Sequence, residues 1–280
     1  MKIAFSTLAC PDLPLDQVAS LASSCGYLGV DMRSFRIASD RLACDPLSHE
    51  PDEVEGIFHN AGVTPLCLST GVRYDKQIDP PLIGRVWVNE EAGVEDTKQY
   101  VDCAARIGAK FVRVYGSELP ATEPRTWAMR RVTERLALAA QTCRNTDVRL
   151  LIENAGSFSQ ASALRNLIDL VDSQWLGASY NVQAAVNAGE CPMHAVKELG
   201  SSLRVVRVMD TDDDGNPVEL GKGRYPLKEF FGTLTEMNYD GWIIYEYPKH
   251  WCPELDGDAQ RVLREGAELM YSWIAQPAGV

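Results

Sequence analysis

Short apolar runs alternate with longer amphipathic ones along the whole chain. The apolar runs at 2–9, 28–33, 63–70, 111–116, 148–154, 176–183, 204–210 and 242–248 predict eight strands. Several are nearly continuous, as in "FVRVYG", "RLLIEN" and "WIIYEY". Runs of that kind suit strands covered on both faces, as in a parallel sheet. The intervening segments 15–25, 51–61, 91–107, 126–144, 162–173, 192–199, 226–237 and 258–274 carry helical patterns. In the first, Leu15, Val18, Ala19, Ala22 and Cys25 share one helix face. Gly26, Gly62, Gly108, Asn145 and Gly241 stand where five of these helices should stop.

Strict strand–helix alternation predicts an α/β fold, a (β/α)8 TIM barrel formed by residues 1–280 as a single domain. An open doubly wound sheet is the alternative, and it lacks a G-x-G-x-x-G after the first strand. Two connections are long: 71–90 after strand 3, and 211–224 (TDDDGNPVELGKGR) after strand 7. On a barrel both lie at the C-terminal face, where sites are built, and the first is long enough for a lid.

Composition narrows the function classes. The 280 residues are 45% hydrophobic and 24% charged, ordinary for a globular chain. With 27 basic and 39 acidic residues the net charge is −12, which argues against non-specific binding to nucleic acid or to an anionic membrane. Eight cysteines occur without a CxxC pair or zinc spacing. Read as reduced thiols, they predict a cytoplasmic protein. No apolar stretch approaches the ~20 residues of a membrane-spanning helix, and the N-terminal MKIAFSTLACPDL has no secretion-signal pattern.

The strand ends carry the candidate chemistry: Asp31 and Arg33, Arg113 and Tyr115, Glu153 and Asn154, Asn181 and Gln183, Arg207 and Asp210, and Glu246. Glu246, flanked by apolar residues in "WIIYEYP", must face the polar barrel mouth, since the helix layer would bury it unpaired. Asp31 and Arg33 are candidates to pair with each other. Arg73 and Tyr74 follow strand 3, and Lys249, His250 and Trp251 follow strand 8, within reach of the same mouth.

At these strands the chain resembles the xylose-isomerase-like TIM-barrel superfamily of sugar isomerases and epimerases. The resemblance rests on "YLGVDMR", "VRLLIENAG", "ASYNVQAAV", "VVRVMD…GKG" and "GWIIYEY", in order on strands 2, 5, 6, 7 and 8. It implies a divalent metal held by Glu, Asp, His and Glu on the last four strands. The corresponding residues are Glu153, Asn181, Arg207 and Glu246. Both glutamates match; the other two do not. The His that often follows the family's strand 6 Asp is replaced by Ala184, and the strand 7 Lys by Met209, while Asp210 is kept. A guanidinium has no lone pair to offer a metal. Arg207 is therefore expected to occupy the metal's place between Glu153 and Glu246. A manganese, magnesium, cobalt or zinc ion is expected only if both glutamates ligate despite Arg207.

Isomerases of this kind remove a proton next to a carbonyl, which needs a carboxylate base and a stabiliser for the developing oxyanion. Glu153 and Glu246 are the expected acid/base pair and Arg207 the stabiliser. Asn181, Arg113, Tyr115, Asp210 and His250 are the expected contacts to a small sugar or polyol derivative. The competing expectation is a non-catalytic barrel, a binding or partner protein, whose Glu153–Arg207–Glu246 triad is inert. An endonuclease acting at abasic sites is disfavoured by the acidic surface. A homodimer is the assembly to test, with Trp127, Trp175 and Trp273 as interface candidates.

Overall fold

A computed structural model of the protein describes residues 1–35, 41–76, 92–255 and 258–275. Eight parallel strands close into a barrel: β1 (Lys2–Ser6), β2 (Gly29–Arg33), β3 (Thr64–Arg73), β4 (Phe111–Tyr115), β5 (Arg149–Glu153), β6 (Leu176–Asn181), β7 (Leu203–Val208) and β8 (Trp242–Tyr245). Neighbours in sequence are neighbours in space, and β8 pairs with β1 from Lys2–Trp242 to Phe5–Tyr245. Helices α1 (Leu15–Ser24), α2 (Pro51–Ala61), α3 (Ala92–Arg106), α4 (Arg125–Gln141), α5 (Ala161–Val171), α6 (Val182–Asn187), α7 (Pro192–Leu199), α8 (Leu227–Glu236) and α9 (Ala259–Ala275) alternate with the strands. This is the expected (β/α)8 barrel. No helix among the described residues is long and apolar enough to cross a membrane.

Two boundary differences have local causes. Strand 6 was expected to reach residue 183 but ends at Asn181, because the Asn181 side chain accepts the Ala184 N–H and starts α6 there. After β1 the chain turns at once into a 3-10 turn, Thr7–Ala9. Gly26, Gly62, Gly108 and Asn145 all adopt the left-handed conformation of a helix stop, whereas after α8 that role falls to Asn238 and not to Gly241. The candidate lid falls largely on residues 77–91, outside the described residues.

Alternation splits every strand between two cores. Helix-facing positions such as Val112, Val114, Val206 and Val208 join the large outer cluster. Inward positions at the N-terminal end, Ala4, Leu66, Leu151, Val205, Trp242 and Ile244, form a separate apolar plug. Gly29 makes room for it, since a Cβ there would lie 2.9 Å from the Trp242 ring. The plug closes the barrel floor, so inward side chains above it face the C-terminal mouth. Of the three tryptophans considered for an interface, Trp273 is buried and Trp127 is exposed.

Candidate active site

Directly above the plug, inward alternation brings polar residues to the barrel axis: Ser6 from β1, Asp31 from β2, Ser69 from β3, Arg113 from β4, Glu153 from β5, Ser179 from β6 and Arg207 from β7. Glu246 completes the layer immediately after β8, where its N–H still donates to Val208 O. The three carboxylates and two guanidinium groups of this layer leave a net charge of −1.

Arg207 is its hub. Nη1 donates to Asp31 Oδ2 at 2.9 Å and Glu246 Oε1 at 2.7 Å. Nη2 donates to Asp31 Oδ1 at 3.0 Å and Ser69 Oγ at 2.7 Å. Nε donates to Ser179 Oγ at 3.1 Å and also lies 2.9 Å from Glu153 Oε2. A guanidinium carries five N–H groups. All are committed to protein acceptors, so Arg207 has none left for a substrate oxygen.

The carboxylates differ in environment. Asp31 and the Arg207 side chain are wholly buried, Glu153 is 5% exposed and Glu246 is 14% exposed. Burial works against the Asp31 carboxylate, but the charge and hydrogen bonds of Arg207, with the Ser69 hydroxyl, overturn it and hold the group below the ordinary range. Glu246 goes the other way. Burial pushes it above the ordinary glutamate range, and the charges of Glu153 and Asp31 add to that against the pull of Arg207. Burial likewise pushes the Tyr115 phenol up, which keeps its proton on.

Glu153, Arg207 and Glu246, identified at the strand ends, are brought together, and Asn181 joins them. Its Nδ2 lies 3.3 Å from Glu153 Oε1 and 3.4 Å from Glu246 Oε2. Asn154 holds it there, accepting Asn181 N–H and donating to Asn181 O. Arg113 Nε lies 3.3 Å from Glu153 Oε2, and its guanidinium packs 4.3 Å from the Tyr115 ring. His250 stands at the rim, stacked on Phe35 with ring centroids 5.6 Å apart and edge-on to Trp251.

Asp210 is placed differently. Its Oδ1 accepts Thr211 and Tyr225 N–H and its Oδ2 accepts Gly221 and Gly223 N–H, so the carboxylate clamps its own loop. A Cβ at Gly223 would meet Asp210 Oδ1 at 2.2 Å, which explains the glycine of "GKG". Tyr74 is buried against Thr97, away from the mouth. Asp31 pairs with Arg207 and not with Arg33 as expected; the register of β2 against β3 shifts between Val30 and Asp31, and the inward side chain of Asp31 reaches across the barrel to β7. Ser69 and Ser179 were missed altogether. Their one sequence signal is position, inward and near a strand end.

The donor set does not fit a divalent metal. Asn181 Oδ1 caps α6, its amide N–H faces both glutamates, and a guanidinium lies between those glutamates. Among the described residues no group of three or more His, Cys, Asp or Glu side chains is arranged to hold an ion.

A closed eight-stranded barrel with this polar C-terminal layer defines a TIM-barrel protein with its candidate site at the strand ends. The chain belongs to the xylose isomerase-like TIM barrel family, whose model matches residues 19–273. No curated protein sequence matches it. Among solved structures, it is similar to an IolI protein with a bound zinc atom, at 16% identity over 100% of both chains and a TM-score of 0.79. An L-ribulose 3-epimerase is 15% identical, covering 98% of this chain and 95% of that one, with a TM-score of 0.80. A D-psicose 3-epimerase from Clostridium cellulolyticum H10, solved with D-tagatose, is 14% identical over 100% of both chains, with a TM-score of 0.74. At these identities the likeness establishes the shared barrel.

Proposed function

We propose that the protein is an isomerase or epimerase of a sugar-like hydroxy-carbonyl compound that works without a resident metal. Glu246 removes the proton from the carbon next to the carbonyl. The bonding pair moves onto the carbonyl oxygen as an enediolate. Glu246 returns the proton to the former carbonyl carbon while the hydroxyl proton passes between the two oxygens, which isomerises the sugar. Epimerisation instead takes its proton from a donor on the opposite face, for which Glu153 is the candidate. The observation that carries this reading is the environment of Glu246: it is the most exposed carboxylate of the layer, and burial lifts its proton affinity. A base of raised pKa matches the demand of proton abstraction near neutral pH.

Arg207 stands in for the metal as a fixed charge and positions Asp31, Glu153 and Glu246, without touching the substrate oxygen. The proton-bearing Tyr115 phenol is the donor assigned to the developing oxyanion. Glu153, set against Arg207 and Arg113, positions both. The sugar epimerases among the similar structures support a sugar-like substrate.

The saturation of Arg207 favours a second reading, a non-catalytic barrel in which the ion cluster is inert. Proton exchange separates the two. Ketoses and keto acids incubated with the protein in D2O are followed by proton NMR for deuterium at the carbon next to the carbonyl. Exchange that Glu246→Gln lowers by ~10²–10⁴-fold, with the fold intact, supports the enzyme. No exchange on any compound, with Glu246→Gln affecting stability alone, supports the inert barrel.

A further inference from the structure

Besides Arg207, the layer holds Arg113, and Arg33 stands beside it on β2. Arg33 pairs with Ser69 across β2–β3, and Ser69 pairs with Arg113 across β3–β4. Their backbones therefore flank Ser69 at one level, two strand spacings or about 10 Å apart. Both side chains lean toward the mouth. The Arg113 backbone is level with Leu151, yet its Nε reaches Glu153, one inward position further along, and its guanidinium meets the Tyr115 ring. The Arg33 guanidinium lies 5.1 Å from the Phe35 ring, two residues further along the chain.

Neither group is satisfied. Arg113 is 1% exposed, and its Nε and Nη1 have no hydrogen-bond partner among the described residues. The carboxylate beside it, Glu153, already lies against Arg207. Arg33 Nε is also buried without a partner among the described residues. A bare buried donor is costly, and most such groups in folded proteins are paired. These donors, on two strands that flank Ser69, have no acceptor among the described residues.

We infer that the substrate carries a carboxylate and that Arg113, assisted by Arg33, binds it. This rests on the proposed reading of the polar layer as the substrate site, and it supplies the substrate class: a sugar acid or keto acid. Charge supports a monoanion. The layer of Asp31, Glu153, Glu246, Arg113 and Arg207 carries −1 and Arg33 beside it brings the sum to zero, so a carboxylate returns it to −1 and a phosphate takes it toward about −2. A planar carboxylate also matches the guanidinium fork. The chain's net charge of −12 repels anions in general, so their capture requires a local cationic pair of this kind.

Calorimetric titration tests it with three acids, D-glucuronate, D-galacturonate and 2-keto-D-gluconate, against the neutral D-glucose, D-galactose and D-fructose and against D-glucose 6-phosphate. At least one acid is expected to bind about tenfold or more tighter than its neutral partner and than the phosphate. Arg113→Gln is expected to remove that preference, Arg113→Lys to retain part of it, and Arg33→Gln to reduce it several-fold. Should Arg113→Gln not fold, Arg33→Gln, on a partly exposed side chain, carries the test. Neutral sugars binding as tightly as every acid, the phosphate binding tightest, or an acid preference untouched by these variants would each overturn the inference. Binding is read apart from turnover. Acid binding without proton exchange leaves this inference standing and removes the isomerase; exchange on neutral sugars alone does the reverse.

Discussion

Arg207 and Asp31 meet in a two-bond fork across the barrel, Nη1 to Oδ2 at 2.9 Å and Nη2 to Oδ1 at 3.0 Å, 176 residues apart in sequence. Ser69 closes the ring, accepting from Nη2 and donating to Oδ1. With Glu153, Glu246 and Ser179 on the same guanidinium, strands β2, β3, β5, β6, β7 and the end of β8 are tied at one point. The layer therefore stands or falls as a unit.

Asp31→Asn tests that unit. It keeps the shape of the side chain and removes one charge of a wholly buried pair, leaving Arg207 under-compensated. The expected loss is about 3–5 kcal/mol of folding stability, read from the midpoint of urea unfolding. A loss below about 1 kcal/mol would contradict the hub role of Arg207.

Titration of the two oppositely shifted carboxylates should be visible in stability. The folded-state pKa of Asp31 lies below its unfolded value of ~3.9, so its contribution is present above that pH and is lost as pH falls through the folded value. Glu246 has a folded pKa above its unfolded value of ~4.3, so the folded state holds that proton longer, and stability falls as pH rises from ~4.3 through the folded pKa. Urea melts across pH should show the advantage of wild type over Glu246→Gln shrinking through that upper window. The penalty of Asp31→Asn should shrink at the acid end. A pH-independent difference for Glu246→Gln would remove the basis for its role as base.

Metal dependence separates a guanidinium site from a ligated one. Elemental analysis and thermal melts with manganese, cobalt, magnesium and zinc salts should show no stoichiometric ion and no saturable rise in Tm. Any proton-exchange activity should survive a chelator. Tight binding of one ion per chain, lost in both Glu153→Gln and Glu246→Gln, would reassign Arg207 away from the centre of the site.

Asp210→Asn tests the clamp on the loop after β7. The amide keeps one acceptor oxygen where the carboxylate offers two to four backbone N–H groups. Faster hydrogen exchange is expected at Gly221, Gly223 and Tyr225, with a stability loss of roughly 2 kcal/mol. Unchanged exchange at those amides would return Asp210 to the list of substrate contacts.

Much of this arrangement was readable before the fold was known. All eight strands and the helices except α6, whose start reads as strand, follow from the two periodicities, and the family resemblance singles out Glu153, Arg207 and Glu246 among the polar strand ends. Charged residues in otherwise apolar strands leave a strong signal because burial restricts where they can point. Ser69 and Ser179 left only their position near a strand end, since a serine is unremarked in a strand until its hydroxyl is seen to complete a guanidinium. Asp210 carried a motif-like signal for the site, yet the backbone of "GKG" takes up its carboxylate.

Asp31 marks the division. Alternation is local: residues i and i+2 share a face wherever a strand forms, and the amino-acid sequence alone therefore placed Asp31, Glu153, Arg207 and Glu246 inside a barrel near its mouth. Which of them touch was decided by the tertiary structure. Distances across a closed barrel depend on strand tilt, stagger and the register slip at Val30–Asp31, and these are set by all eight strands together. Closure gave Arg207 Asp31 as a third carboxylate partner and left no N–H of its own free. It also left Arg113 beside it with donors that no described residue satisfies.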